Sequence, residues 1–287
     1  MVKTSRRYRS RILLLLGAAM LLLLGGLTAK ANLRDTGLFP EMGDLLRWGA
    51  FSLGGGVNET DTIDQFTGTT DIFGDVGVAG DGNITMNGSA TIHGDLYYMT
   101  GGTLKLTGNA TITGARHHDL SSDTQLTNGV NEATLTSNHA FALPVTPAYA
   151  TLTNIQLSGN QNFTISGAPF QTVVLKLQNF TISSGTLTLA GSMTTNFVIN
   201  VTNQFSLTNH AQIILAGGVT WDNVLFNVRG TGSPVTLDGQ SILRGVLMAN
   251  NRTVSNAGGS LVYGEVVANK VTLSGSAQIQ HPAITSP

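Results

Sequence analysis

Cysteine is absent from this 287-residue sequence. No disulfide framework can hold the fold, so stability has to come from a buried core, which a chain of this length can build. Charge is also scarce: Asp, Glu, Lys and Arg together make up 11% of the residues, and they are scattered. Polysaccharide lyases and hydrolases on parallel β-helices need paired carboxylates, or a base beside a cationic clamp, on one groove. So thin a supply of charge argues against an enzyme. Basic residues run short after the first thirty. Six of the 15 Lys and Arg lie at or before Ala31, and all 16 Asp and Glu lie after it. The remainder carries nine basic against sixteen acidic side chains, a net of −7, which disfavours nucleic acid as a partner.

What is present begins with a leader pattern. Lys3, Arg6, Arg7, Arg9 and Arg11 precede an uncharged, leucine-dominated run from Ile12 to Ala29, and Ala29-Lys30-Ala31 forms an A-x-A-type cleavage site. The run also reaches the lower edge of a membrane span of ~17 to 25 residues. We read residues 1–31 as a signal peptide and expect an exported or cell-surface protein with no stable membrane span after cleavage. The chain ends at Ile284-Thr285-Ser286-Pro287 without a sorting motif.

Internal repetition is the most informative feature beyond the leader. Asp71-Ile72-Phe73-Gly74-Asp75, Thr91-Ile92-His93-Gly94-Asp95 and Thr111-Ile112-Thr113-Gly114-Ala115 recur at an offset of 20. Near the C-terminus, Val235 through Asn250 matches Val254 through Asn269 at an offset of 19, and Val271-Thr272-Leu273-Ser274-Gly275 opens a shorter turn. Within the copies the pattern alternates with period two: Ile84, Met86, Ala90 and Ile92 on one side, Thr85, Thr91 and His93 on the other. Short strands with glycine corners cannot bury an apolar face alone, so they stack. The outward positions then form columns of Thr, Asn and Ser spaced by ~4.8 Å.

One stretch breaks the pattern. From Asp119 to Pro144 glycine nearly vanishes, and Leu126, Val130, Ala133 and Phe141 fall near helical spacing behind a Ser122/Gln125 capping box. A lateral helix is predicted at about residues 121–143, with Leu126, Val130 and Ala133 facing the solenoid wall. A second, weakly helical piece, Glu41 to Trp48, is expected to cover one end of the stack. Val173 to Leu177, Phe197 to Val201 and Val224 to Val228 then resume the strands, each leading to a second short strand (Phe180 to Ile182, Phe205 to Leu207, Val235 to Leu237). With no linker between the halves, residues 32–287 are expected to form a single domain.

Early coils, one lateral helix, then later coils, with Gly74-Asp75-Val76-Gly77-Val78, Asn223 to Val228, Gly245 to Asn250 and Gly264 to Ala268 as shared segments, resemble the secreted bacterial β-solenoids of the ice-binding-like group and the choice-of-anchor A domains. The likeness covers about residues 50 to 281. It implies an all-β fold: a right-handed parallel β-solenoid of roughly triangular section with one α-helix packed alongside. Members range from ice binders to uncharacterised surface proteins, so fold is implied more than function.

Candidate chemistry is sparse. Asp75 falls above Asp95 in adjacent coils, a carboxylate pair that could hold Ca²⁺ with help from Asp71 and Asp81, or could be two solvated corner residues. His93, His117 and His118 lie close in sequence but read as exposed loop histidines, so no metal and no cofactor is expected. Asn-x-Ser/Thr triplets such as Asn83-Ile84-Thr85 arise by chance in so Asn- and Thr-rich a chain. The outward threonines Thr85, Thr91, Thr111 and Thr113 are the candidate surface-face residues. The column Asp71, Thr91, Thr111 and its neighbour Phe73, His93, Thr113 are irregular, whereas an ice-type face should keep Thr, Ser or Ala at one column over many coils. The expectation is therefore a non-catalytic surface, matrix or adhesive protein that presents a flat Thr/Asn/Ser face to an extended partner such as a polysaccharide, another surface protein or ice. Ice binding is the alternative, and a polysaccharide-active enzyme a distant third.

Overall fold

The computed structural model describes residues 33, 38–43, 45–54 and 63–282. The leader expected at 1–31 lies outside them. The described chain is mostly β with a single α-helix, and the strands pair in parallel as a triangular solenoid of three sheets.

In stacking order, the first sheet contains Arg116–His117, Leu96–Tyr98, Asp75–Val78 and Trp48–Ser52. It continues through the middles of Leu261–Leu273 and Ile242–Asn256, then Val224–Val228 and the leading halves of Asn196–Thr208 and Thr172–Ser183. The second runs from Leu104–Leu106 through Asn83–Met86 and Ile63–Phe66 to the ends of Leu261–Leu273 and Ile242–Asn256. Val235–Leu237, the trailing halves of Asn196–Thr208 and Thr172–Ser183, and Asn154–Ser158 complete it. The third stacks Thr111–Ile112, Thr91–Ile92, Asp71–Phe73 and Gln278–Gln280 on the starts of Leu261–Leu273 and Ile242–Asn256. Gln212–Ala216, Thr186–Ala190 and Asn162–Ser166 come next. Each sheet is therefore nine layers deep.

The layers do not follow chain order. The coil begun by the end of Leu261–Leu273 and by Gln278–Gln280 is completed on the first sheet by Trp48–Ser52, and the 63–78 coil stacks directly on it. Both ends of the described chain thus meet in one layer near the middle of the stack. Glycines mark this seam: Gly275, Gly68, Gly88 and Gly108 form one corner column, each with φ between 60° and 83°. A Cβ at Gly88 or Gly108 would meet the backbone of the layer beneath at 3.0 or 2.9 Å, so at those two positions space as well as the positive φ favours glycine.

Because the coil at 104–117 and the coil at 154–177 sit at opposite ends, the chain has to return along the whole stack. Helix α1, Leu120–Ala142, makes that journey over the first sheet. Its 23 residues span about 35 Å, close to the roughly 38 Å covered by eight interlayer spacings. Asp123 accepts hydrogen bonds from the Thr100 N–H and hydroxyl, Asn250 donates to the Ala133 carbonyl, Asn227 to that of Ser137 and Asn200 to that of Ala140. The helix therefore touches successive layers in order. Leu126 and Ala133 are fully buried and Val130 is partly so. Gly129 makes room for the Phe51 ring, which a Cβ there would approach to 2.7 Å.

Two local expectations are corrected. The helix is capped by Asp119, whose side chain accepts from the Ser122 N–H while the Ser122 hydroxyl accepts from the Asp119 N–H. The Ser122/Gln125 box placed that start three residues late. The 41–48 piece is two 3-10 turns, Pro40–Met42 and Leu45–Arg47, followed by strand. It packs Phe39 edge-on against His139 at 5.1 Å, beside the helix instead of over an end of the stack.

Inside, the predicted columns form. Ile92 lies directly over Ile112, and Phe180 stacks on Phe205 at 4.8 Å with Phe226 edge-on to both. Ile92 is fully buried, but Leu104, Leu106, Ala110 and Ile112 in the end coil are only partly covered.

Candidate functional site

The first sheet is covered by α1, so an extended partner can reach only the second and third. The strand triplets of the second sheet share one design: a half-buried hydroxyl residue between two inward residues. Thr181 stands between Phe180 and Ile182, Ser206 between Phe205 and Leu207, Thr236 between Val235 and Leu237, and Thr272 between Val271 and Leu273, with every flanking residue buried. Register aligns them in one column: Thr85, Gln65, Thr272, Ser255, Thr236, Ser206, Thr181 and Gln156, with Lys105 at the open end.

A parallel column, less regular, reads Ser274, Ala257, Asp238, Thr208, Ser183 and Ser158. On the opposite side amides bridge the layers, the Asn179 Nδ2 donating to Asn154 Oδ1 at 2.8 Å and the Asn203 Nδ2 to Asn179 Oδ1 at 2.9 Å. The result is a two-dimensional grid of short polar side chains with a spacing of ~4.8 Å across strands and ~6.6 Å along them. β-Branching fixes χ1 of each threonine, so its methyl and hydroxyl project together from a stiff base.

The third sheet is different. Its outward column reads Thr113, His93, Phe73, Gln280, Tyr263, Arg244, Ile214, Thr188 and Thr164, with His93 through Arg244 all planar groups. The structure therefore separates the four candidate threonines: Thr85 belongs to the second sheet, and Thr91, Thr111 and Thr113 to the third. The Asn87 to Ala90 corner turns the chain between them. The irregular column read from the sequence is the third sheet's. The regular one was missed, although the repeated apolar-Thr/Ser-apolar triplets were visible.

The carboxylates have structural work. Asp75 Oδ1 accepts the Asp95 N–H at 2.9 Å, and Asp95 Oδ1 accepts the Ala115 N–H at 2.8 Å. The Ala115 N–H, and after it the His117 side chain, hold the Asp95 carboxyl below the usual range. These are corner residues that tie each coil to the next. His93 pairs with Asp71 at 2.9 Å and stacks on Phe73; His117 pairs with Asp95 and stacks on Tyr97; His118 stacks on Tyr98. Among the described residues no three His, Asp or Glu gather around a possible metal position, and no helix is long and apolar enough to cross a membrane.

Beneath α1 lies one ionisable group that no sequence pattern singles out. Glu265 sits opposite Val246 on the helix side of the first sheet, fully buried, with no hydrogen bond to either carboxyl oxygen. Burial, and then the nearby Glu132, push its pKa well above the ordinary value.

Comparison with known proteins agrees with this architecture. A family model described as Ice-binding-like matches residues 60–279. An ice-binding protein from an Arctic yeast, described in connection with its antifreeze activity, superposes with a TM-score of 0.55 at 19% identity, over 86% of this chain and 95% of its own. An ice-binding protein from an Antarctic biological consortium gives 0.51 at 16% identity, over 83% and 88%. No curated protein matches the sequence. The ice-binding-like part of the resemblance is thereby carried; choice-of-anchor A type and bacterial origin are not addressed.

Proposed function

Because the chain belongs to the ice-binding-like family, as the match over residues 60–279 establishes, we propose that it is an exported, non-catalytic ice binder that works through its second sheet. This reverses the order of preference drawn from the sequence, where a matrix or adhesive role came first. The observation that carries the reading is the unbroken run Thr272, Ser255, Thr236, Ser206 and Thr181 on adjacent layers. Hydroxyls and methyls held at fixed intervals can template a layer of ordered water, and such water joins two surfaces at little entropic cost per molecule. A rigid, apolar-filled interior keeps the grid from deforming.

Ice recrystallisation inhibition and thermal hysteresis test it. The wild type is expected to show both, Thr236→Tyr to lose both, and Thr188→Tyr on the third sheet to keep both. An inactive wild type, or equal loss in the two variants, refutes the assignment.

A further inference from the structure

We propose that Asp238 sets the width of the ice contact on the second sheet, as the residue that holds it to a single column where it passes Thr236. The proposal rests on the ice reading and deepens it. Beside the hydroxyl column runs the parallel one, which backbone pairing carries through all nine layers: Thr107, Asn87, Thr67, Ser274, Ala257, Asp238, Thr208, Ser183 and Ser158. Its outward groups are hydroxyls, one amide, one methyl and a single charge. That charge stands in the strand of Thr236, two residues further along and so ~6.6 Å away. Thr236 is the middle layer of the run from Thr272 to Thr181, so the exception falls beside the centre of the face.

Asp238 is exposed and held in place. Its Oδ1 accepts the Gly239 N–H at 2.7 Å and leans toward the next layer, where a Cβ at Gly258 would collide with it. The strands on either side put Thr208 and the Ala257 methyl next to it. Among the described residues no Lys, Arg or His forms an ion pair with it, so water solvates the charge.

Hydrogen-bond chemistry makes this position different from its neighbours. In ice each water donates as many hydrogen bonds as it accepts. A hydroxyl or an amide also does both, so water at Thr236, Thr208 or Asn87 can keep the pattern of the lattice. A carboxylate only accepts. Every water around Asp238 has to turn a hydrogen toward it, and the charge holds those waters more tightly than a neutral group would. Waters oriented in that way do not fit a lattice layer, and stripping them from a charge is costly. The wild-type contact is therefore a strip along the stack, bordered by Asp238 at the Thr236 layer.

Thermal hysteresis at equal protein concentration, with melting temperatures on the same samples, tests the border. Asp238→Ser and Asp238→Asn should each raise hysteresis about twofold or more, because each extends the grid sideways with a group that both donates and accepts. Asp238→Glu keeps the charge and should stay at or below the wild type. Asp81→Asn removes the same charge at an exposed turn outside the grid and should change nothing. Asparagine retains an acceptor for the Gly239 N–H, so a weakened turn cannot hide the gain. The proposal alone is overturned if the wild type is active and neither Asp238→Ser nor Asp238→Asn exceeds it. It is equally overturned if Asp238→Glu or Asp81→Asn gains as much, since side-chain shape or net charge would then be the cause. A wild type without hysteresis overturns the ice reading itself, and this proposal with it.

Discussion

The three coils before α1 and the six after it solve the same packing problem differently. The early coils use strands of two to four residues with glycine corners and keep a spacing of 20. The later coils use strands of up to 15 residues that run around a corner without stopping, as Ile242–Asn256 does. Their spacing varies widely: Asn154 pairs with Asn179, Phe197 with Val224, Ser206 with Thr236 and Val235 with Val254. Corner segments absorb these differences at small entropic cost, while the inward columns stay continuous. A solenoid therefore needs a constant layer and not a constant repeat, and only the early block advertises its architecture as a repeat.

The harshest way to break the comparison is at the seam where the blocks join. Ile279, fully buried in Gln278–Gln280 and paired with Ile72 across the seam, becomes in Ile279→Asp an unpaired buried carboxylate, which costs about 4 kcal/mol or more. If the two blocks are one cooperative unit, far-UV circular dichroism and the fluorescence of Trp48 and Trp221 should lose their signal together at a lowered midpoint. Separate transitions would show that the blocks fold independently.

Within the blocks, large-to-small changes should rank by cover. Phe205→Ala in the late block removes a fully buried ring stacked on Phe180 and should cost about 3 to 5 kcal/mol. Ile112→Ala in the exposed end coil should fall below the ~2 kcal/mol at which fully buried Ile-to-Ala changes begin, because its side chain is only partly covered. Denaturant midpoints at unchanged slope would measure both. Equal costs would mean that something covers the open end in solution.

The late block also carries the buried Glu265, and its effect has a definite sign. A carboxyl whose folded pKa is raised keeps its proton where the unfolded chain has released it, so stability falls as pH climbs above the ordinary glutamate range. Glu265→Gln removes that proton linkage. The variant should gain on the wild type as pH rises from about 4 toward neutrality, read as the difference in melting temperature. A difference that does not change with pH would mean that Glu265 is ionised in the folded state, with an unseen partner.

The contrast explains what could be read in advance. Period two and the 20-residue offset made the early register legible to the residue, and the loss of glycine after Asp119 exposed the helix. The joining of both chain ends in one layer was not legible, because parallel pairing of Gln65 with Thr272 leaves no local trace in either segment. That pairing only attaches the early part of the hydroxyl column, because the regular run from Thr272 to Thr181 lies wholly within the late block. That early part holds only Thr85 between Lys105 and Gln65, so the repeat that was easiest to read in the sequence carries little of the face.

That leaves the smallest energetic change, and the one that distinguishes the blocks by function. Thr85→Tyr and Thr236→Tyr both replace half-buried outward residues in the same column, one in each block, and each should alter stability by no more than ~0.5 kcal/mol. If ice is met by an uninterrupted grid, a tyrosine at Thr236 interrupts five consecutive hydroxyl layers, while one at Thr85 disturbs a single threonine already isolated by its neighbours. Thr236→Tyr should abolish recrystallisation inhibition and Thr85→Tyr should keep most of it. Equal losses would extend the face across both blocks and make Gln65 part of it. Retention by both would move ice recognition off the second sheet altogether.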